Sequence, residues 1–312
     1  MIWKPYGLPD ILNLDGSSFH DTKTTNRWNI PEKITVSTAI TGAFFTKKQN
    51  KNQPITPDEI YESAVQSVEA GASTIHIHVR DDDGYNVLSP ERFKEVIVPL
   101  KQAYPDLVVD GCLVPALAGE WDKMLEVLDL GLLDAAPVNA TATYIGDSLF
   151  AKPAPVLMQK TREIVSRGIK PEIAVYTDAD VAIAERFLID SGLVDLPAIW
   201  LVLPGLPGGS PIRNAREMIE SITRITGLIR EVDPQGKIII SAAGQAPTYV
   251  TTQAALMGLN VRVGMEDTYY KWPNSKELLS SNSEATKFAI DIAKLLNISV
   301  ATPKEAREML GL

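Results

Sequence analysis

From residue 34 to the C-terminus the chain alternates two hydrophobic patterns. Short apolar runs rich in Val and Ile read as strands buried on both faces. They fall at Ile34–Val36 (running into Thr41-Gly42-Ala43), Thr74–Val79, Leu107–Val109 (extending to Leu113), Leu133–Val138, Pro171–Tyr176, Ala198–Leu203, Lys237–Ala242 and Val261–Met265. Between them, apolar residues recur at helical spacing. Thr56-Pro57-Asp58-Glu59 opens the first helix: Thr can cap it, Pro suits its first turn, and the acids suit its N-terminal dipole. Ile60, Ala64, Val65, Val68 and Ala70 form its apolar stripe, and Gly71 stops it. Further helices are predicted from Ser89-Pro90, and at 121–130, 156–165, 178–189, 214–232, 246–257 and 283–296. Thr302-Pro303-Lys304-Glu305 carries a capping-box pattern and starts a short terminal helix.

Eight strands, each followed by a helix, imply right-handed βαβ units and a parallel sheet. The expected fold is α/β, a closed (β/α)8 TIM barrel over residues 34–312. The rival, an open doubly wound sheet that binds dinucleotides, would carry G-x-G-x-x-G after its first strand, and none is there. Residues 1–33 lack either pattern. With Trp3, Phe19 and Trp28 as apolar anchors, they are expected to form an arm that packs on the barrel, with His20 a packing or surface histidine.

Charge and composition narrow the class. The 312 residues carry net charge −9 without a basic block, which argues against nucleic-acid or anionic-membrane partners. One cysteine, Cys112, permits no internal disulfide. No signal-type segment opens the chain, and no apolar run nears the ~20 residues of a membrane span. A cytoplasmic soluble protein is the expectation.

Candidate chemistry concentrates where such barrels place it, at the C-terminal ends of the strands. His76 and His78 are two apart in a strand, so both imidazoles point to one face. Glu266, on the eighth strand and adjacent once the barrel closes, is the natural third ligand. Two histidines and a carboxylate make a catalytic zinc set, and also that of non-haem ferrous oxygenases. Core histidines satisfied by hydrogen bonds are the bland alternative. Asp267, at the start of the following loop, is placed to act as a base beside the metal. Arg262 shares the parity of Glu266, and Gly264 between them leaves room for the guanidinium to orient Asp267. Thr41, Asn139 and Thr141 are further polar residues at the strand ends. Lys47 and Lys48 read as a solvated pair, and the Pro/Gly-rich loop 204–209 as a lid or close approach.

The segments Pro54–Ile60, Ala70-Gly71-Ala72, His76-Ile77-His78-Val79-Arg80-Asp81, Val261-Arg262-Val263-Gly264-Met265-Glu266-Asp267 and Ala301–Ala306 together resemble the β-keto acid cleavage enzymes, the family of 3-keto-5-aminohexanoate cleavage enzyme. The resemblance runs from residue 34 to the C-terminus. It implies a zinc-dependent TIM barrel assembled as a homotetramer. It implies cleavage of a β-keto acid with acetyl-CoA, giving acetoacetate and a new acyl-CoA. By matching position, His76, His78 and Glu266 would hold zinc, Asp267 would be the base and Arg262 would set it. Thr141 would match a substrate-binding hydroxyl, with Asn139 and Thr41 nearby. The chain departs from the pattern after the third strand, where Gly111-Cys112-Leu113-Val114-Pro115 through Gly119 replaces a Thr/Ser-Thr-Gly-Gly run that grips the substrate carboxylate. The expectation is altered carboxylate binding with the metal site untouched. Rival readings are another metal-dependent barrel lyase or hydrolase and a non-catalytic ligand-binding homologue. An amidohydrolase-type site needs histidines on later strands, and none follows His78.

Overall fold

A computed structural model describes residues 29–115, 118–206 and 212–312. Up to residue 28 the expected arm, with Trp3, Phe19, His20 and Trp28, lies outside the described residues, as do 207–209 of the Pro/Gly loop and 116–117 of the loop after the third predicted strand.

In chain order the elements are β1 (Lys33–Ile34), β2 (Val36–Ala39), α1 (Pro57–Glu69), β3 (Thr74–Ile77), β4 (Val79–Arg80), β5 (Asn86–Val87), α2 (Pro90–Ala103), β6 (Val108–Gly111), α3 (Glu120–Asp129) and β7 (Ala135–Asn139). Then come β8 (Ala142–Ile145), β9 (Ser148–Ala151), α4 (Ala154–Val165), β10 (Lys170–Val175) and α5 (Asp178–Ala184), which a π-helical turn continues over Glu185–Ile189. The rest are β11 (Ile199–Val202), α6 (Ala215–Val232), β12 (Lys237–Ser241), α7 (Pro247–Leu256), β13 (Asn260–Val263), α8 (Asn282–Leu295), β14 (Ser299–Val300) and α9 (Pro303–Leu310). The helix starts follow the predicted cues. Thr56 and Thr302 each form a capping box, with Glu59 and Glu305 as the returning side chains.

Strands β2, β3, β6, β7, β10, β11, β12 and β13 close into a parallel barrel, β13 pairing with β2. Each is followed by one helix, so the eight predicted units are all present. The pattern did not predict three small sheets outside the barrel: β1 with β14, and the antiparallel hairpins β4–β5 and β8–β9. Their strands are only two to four residues long, too short for an apolar period to mark them. Among the described residues no helix is long and apolar enough to cross a membrane.

Register carries one face of the sheet around the whole barrel. Arg262 pairs with Ser241 and Ser37, Ser37 with Thr74, His76 with Asp110, Asp110 with Ala135, and Asn139 with Ala174. Parallel partners share a face and i, i+2 residues repeat it, so His76, Asp110, Asn139, Ser241 and Arg262 all point inward. Glu172 joins them by parity with Ala174. Ile199, Leu201, Leu203 and Ile239 fill the interior beside Ala174 and Tyr176, joined by Leu310 of α9. The opposite face, with Ile75, Ile77, Val109 and Ile240, forms the larger core under the helices.

The eighth strand is shorter than its pattern predicts. It stops at Val263, and a turn follows in which Asp267 and Thr268 donate to the Gly264 carbonyl at 3.1 and 3.2 Å. Gly264 makes this turn, with φ +133°, and a Cβ there would lie 2.2 Å from the Ala39 carbonyl oxygen. The turn coils Glu266 and Asp267 back toward Arg262. Gly264→Ala is expected to cost at least about 1–3 kcal/mol for the backbone conformation alone, and more for the clash. Thermal unfolding reads this, and an unchanged midpoint would contradict it.

Glu172 is a buried carboxyl whose Oε1 has no hydrogen-bond partner among the described residues. Burial, and then the nearby Asp110 charge, push it up to about 8. A carboxyl raised in the folded state keeps a proton that the unfolded chain releases. The cost to folding is therefore absent below the unfolded value, grows as pH rises toward 8, and levels off above it. In metal-stripped protein, the gain in melting temperature from Glu172→Gln is expected to widen between pH 5 and pH 8. A gain that does not change with pH would contradict the assignment.

Candidate metal centre and active site

The two histidines are fixed from behind. Nδ1 of His76 bonds Asp110 Oδ1 on the neighbouring strand β6. Nδ1 of His78 bonds Asn86 Oδ1 at 2.6 Å. A carboxylate and an amide oxygen can only accept, so each Nδ1 donates, and in the neutral imidazole the lone pair lies on Nε2. That is the arrangement metal-binding histidines use, with the outer partner setting tautomer and ring orientation. The β4–β5 hairpin gains a purpose here, because it brings Asn86 back beside its own strand.

Both free nitrogens face Glu266. His76 Nε2 is 3.3 Å from Oε2, and His78 Nε2 is 3.4 Å from Oε1. His76 Nε2 and Glu266 Oε2 are buried, and neither has a hydrogen-bond partner among the described residues. Two donors each about 2.0–2.1 Å from a tetrahedral ion lie about 3.3–3.4 Å apart. The Glu266 carboxylate thus turns one oxygen toward each imidazole, and two imidazoles beside a carboxylate are a donor set that suits a small divalent ion. Gly42 leaves room for the carboxylate, since a Cβ there would lie 2.4 Å from Glu266 Cγ.

The electrostatics point the same way. Burial opposes charge on every group, yet the partners prevail. Asp110 and Glu266 raise His76 well above its ordinary value. Cys112 and Glu266 push His78 up to about 10. Arg262, His76 and His78 hold Glu266 well below the usual carboxylate range. A field that draws protons onto two buried imidazoles also favours a divalent cation in their place.

Arg262 is the second anchor. Its Nε donates to Asp267 Oδ2 at 2.9 Å and its Nη2 to Oδ1 at 2.7 Å, with Nη2 also reaching Glu266 Oε1 at 2.6 Å. Arg262 and Asp267 are 4% and 3% exposed. The predicted bridge from Arg262 to Asp267 is present, and it extends to the candidate ligand. Arg80, also buried, donates to the carbonyls of Gly84, Thr41 and Phe45 and so ties the β4–β5 turn to the loop after β2.

The three polar residues at the strand ends differ. Thr41 spends its hydroxyl proton on the Pro54 carbonyl at 2.5 Å, which holds the loop. Asn139 donates to the Tyr176 hydroxyl at 3.0 Å and leaves its Oδ1 without a partner among the described residues. Thr141 is buried near Asp180, and its carbonyl accepts from Lys152 at the foot of the β8–β9 hairpin.

Several residues near the site were not predicted. Asp110 shares the inward parity of His76 on the adjacent strand, a signal the sequence did carry. Asn86 and Lys152 depend on hairpins without an apolar period. Cys112 corrects one expectation: the altered loop does touch the candidate metal site, because His76, His78 and Cys112 each offer a ligand atom within 4.8 Å of the others. Burial opposes its thiolate, but His78 and His76 pull the thiol down to about 5.

Comparison with known proteins bears on the family and the fold. The family model described as beta-keto acid cleavage enzyme matches residues 33–312. The 3-keto-5-aminohexanoate cleavage enzyme of Acetoanaerobium sticklandii is 32% identical over 283 residues, covering 90% of this chain and 99% of its own. The 3-dehydrocarnitine:acetyl-CoA trimethylamine transferase of Rhizobium meliloti is 24% identical, covering 90% of this chain and 97% of its own. Among solved structures, ObcA in its binary complex with oxaloacetate superposes with TM-score 0.71 at 19% identity, over 84% of this chain and 67% of that one, a likeness of fold. The chain belongs to the β-keto acid cleavage enzyme family.

Proposed function

We propose that the protein is a zinc enzyme that exchanges acyl groups between a β-keto acid and acetyl-CoA. The observation that carries this reading is the juxtaposition of His76, His78 and Glu266, the carboxylate 3.3 and 3.4 Å from the two imidazoles, with a buried Asp267 clamped beside them. Its relatives, named as cleavage enzymes and acetyl-CoA transferases, support the choice of reaction.

His76, His78 and Glu266 would hold the zinc, which supplies Lewis acidity beside the keto group of the substrate. Asp267 removes a proton from the carbon between the keto and carboxylate groups. Arg262 occupies one lone-pair direction on each Asp267 oxygen, and the others stay free to take that proton. The carbanion attacks the acetyl thioester and displaces the CoA thiolate. That thiolate then adds to the original keto carbon. The bond between that carbon and its acidic neighbour breaks, and the proton held by Asp267 returns to the departing carbanion, giving acetoacetate and a new acyl-CoA. Asn139 and Thr141 are the proposed substrate contacts, with Thr41 holding the loop beside them. The same reading takes the working enzyme to be a cytoplasmic homotetramer.

Purified protein is expected to hold about one zinc per chain, as a single three-ligand catalytic site does. His76→Ala and Glu266→Gln should lose it. Folded wild-type protein that binds no divalent metal would sink the assignment. Asp267→Asn should keep the metal and lose roughly 10²–10⁴-fold in turnover, the usual contribution of a general base. Circular dichroism confirms its fold, and undiminished turnover would remove Asp267 from that role. Screening β-keto acids with acetyl-CoA, read by acetoacetate release, identifies the substrate. A panel giving no CoA-dependent release would favour a non-catalytic binding role.

A further inference from the structure

Cys112, in the loop after β6, lies beside the candidate metal ligands. Cys112 follows directly on β6, and its amide donates to the Ile77 carbonyl at 3.0 Å. Ile77 lies between the two histidines, so the backbone pins Cys112 beside both. A ligand atom of each of the three lies within 4.8 Å of the others. In a tetrahedral zinc site nitrogen and thiolate sulfur lie about 3.6 Å apart, given bonds of about 2.0–2.1 and 2.3 Å. Two atoms of the centre are left without a partner: His76 Nε2 is buried without a hydrogen-bond partner among the described residues, as is Glu266 Oε2.

We propose that the Cys112 thiolate is a further ligand of the ion held by His76, His78 and Glu266, closing the centre at rest and yielding its place to the keto acid. This rests on the metal reading above and adds a ligand to it. Charge supports it, because two anionic ligands neutralise a divalent ion that would otherwise be buried with a net charge. Ligand chemistry supports it too, since thiolates suit zinc and cobalt far better than magnesium or calcium. Tethering decides which donor yields. His76 is held by Asp110, His78 by Asn86 and Glu266 by Arg262. Among the described residues no hydrogen bond from outside the centre holds the sulfur of Cys112. The competing view makes Cys112 a small partly buried residue whose thiol merely packs against the imidazoles.

Cobalt substitution separates the two. Wild-type protein loaded with Co²⁺ is expected to show a near-ultraviolet sulfur-to-cobalt charge-transfer band. Cys112→Ser should bind Co²⁺, with visible d–d bands, and lose that band entirely. Because the chain has one cysteine, the band has a single source. Saturating acetoacetate, itself a β-keto acid, should abolish it in the wild type. Stoichiometric Co²⁺ with d–d bands but no charge-transfer band would overturn the ligand and leave the metal reading standing. A band that survives saturating acetoacetate would overturn its yielding to substrate. Folded protein that takes up no Co²⁺ at all would remove the metal reading first, and this inference with it.

Discussion

One buried guanidinium holds the candidate active site together. Arg262 makes three charge-assisted hydrogen bonds to two carboxylates that are adjacent in sequence, Glu266 and Asp267. Two anions side by side in a barrel interior would repel each other and suffer desolvation, and without a cation one would take up a proton. Arg262 removes that outcome and divides the roles. Glu266 keeps one oxygen without a hydrogen bond, aimed at the histidines. Asp267 has both oxygens fixed. Under the proposed function, the site thus pairs an anionic donor with a separate oriented carboxylate, the combination needed to activate an acidic carbon.

Around that pair the barrel supplies rigidity rather than chemistry. Asp110 and Asn86 each set one imidazole from outside, one through barrel register and the other through a hairpin. The interior is polar near β2, β3, β6 and β13 and apolar near β11 and β12. Glu172 is the exception among the polar groups. Burial and the nearby Asp110 push its carboxyl up to about 8. A neutral acid there adds no further anion to a site already rich in them.

The fold was legible because βαβ units write themselves as two alternating periods, and every barrel strand matched one. The histidine pair was legible from strand parity alone. Arg262, Glu266 and Asp267 were legible as a group, but through an argument of parity that stopped short of the mechanism. The strand ends at Val263, and it is the turn at Gly264 that brings all three together. Cys112 and Asn86 were not legible as neighbours of the histidines. One sits in a loop, the other in a short polar hairpin, and neither apolar periodicity nor spacing places such residues in space. Thr41 shows the reverse: a hydroxyl at the right strand end, turned into the loop by the Pro54 carbonyl.

The family membership fixes the class of chemistry, and the proposed metal centre connects it to this chain's own side chains. The most direct measurement is an anomalous difference map collected at the zinc absorption edge from crystals of the purified protein. A peak about 2 Å from His76 Nε2, His78 Nε2 and a Glu266 oxygen is the predicted result. A map with no peak among these three side chains, from protein shown to be folded and active, would contradict it.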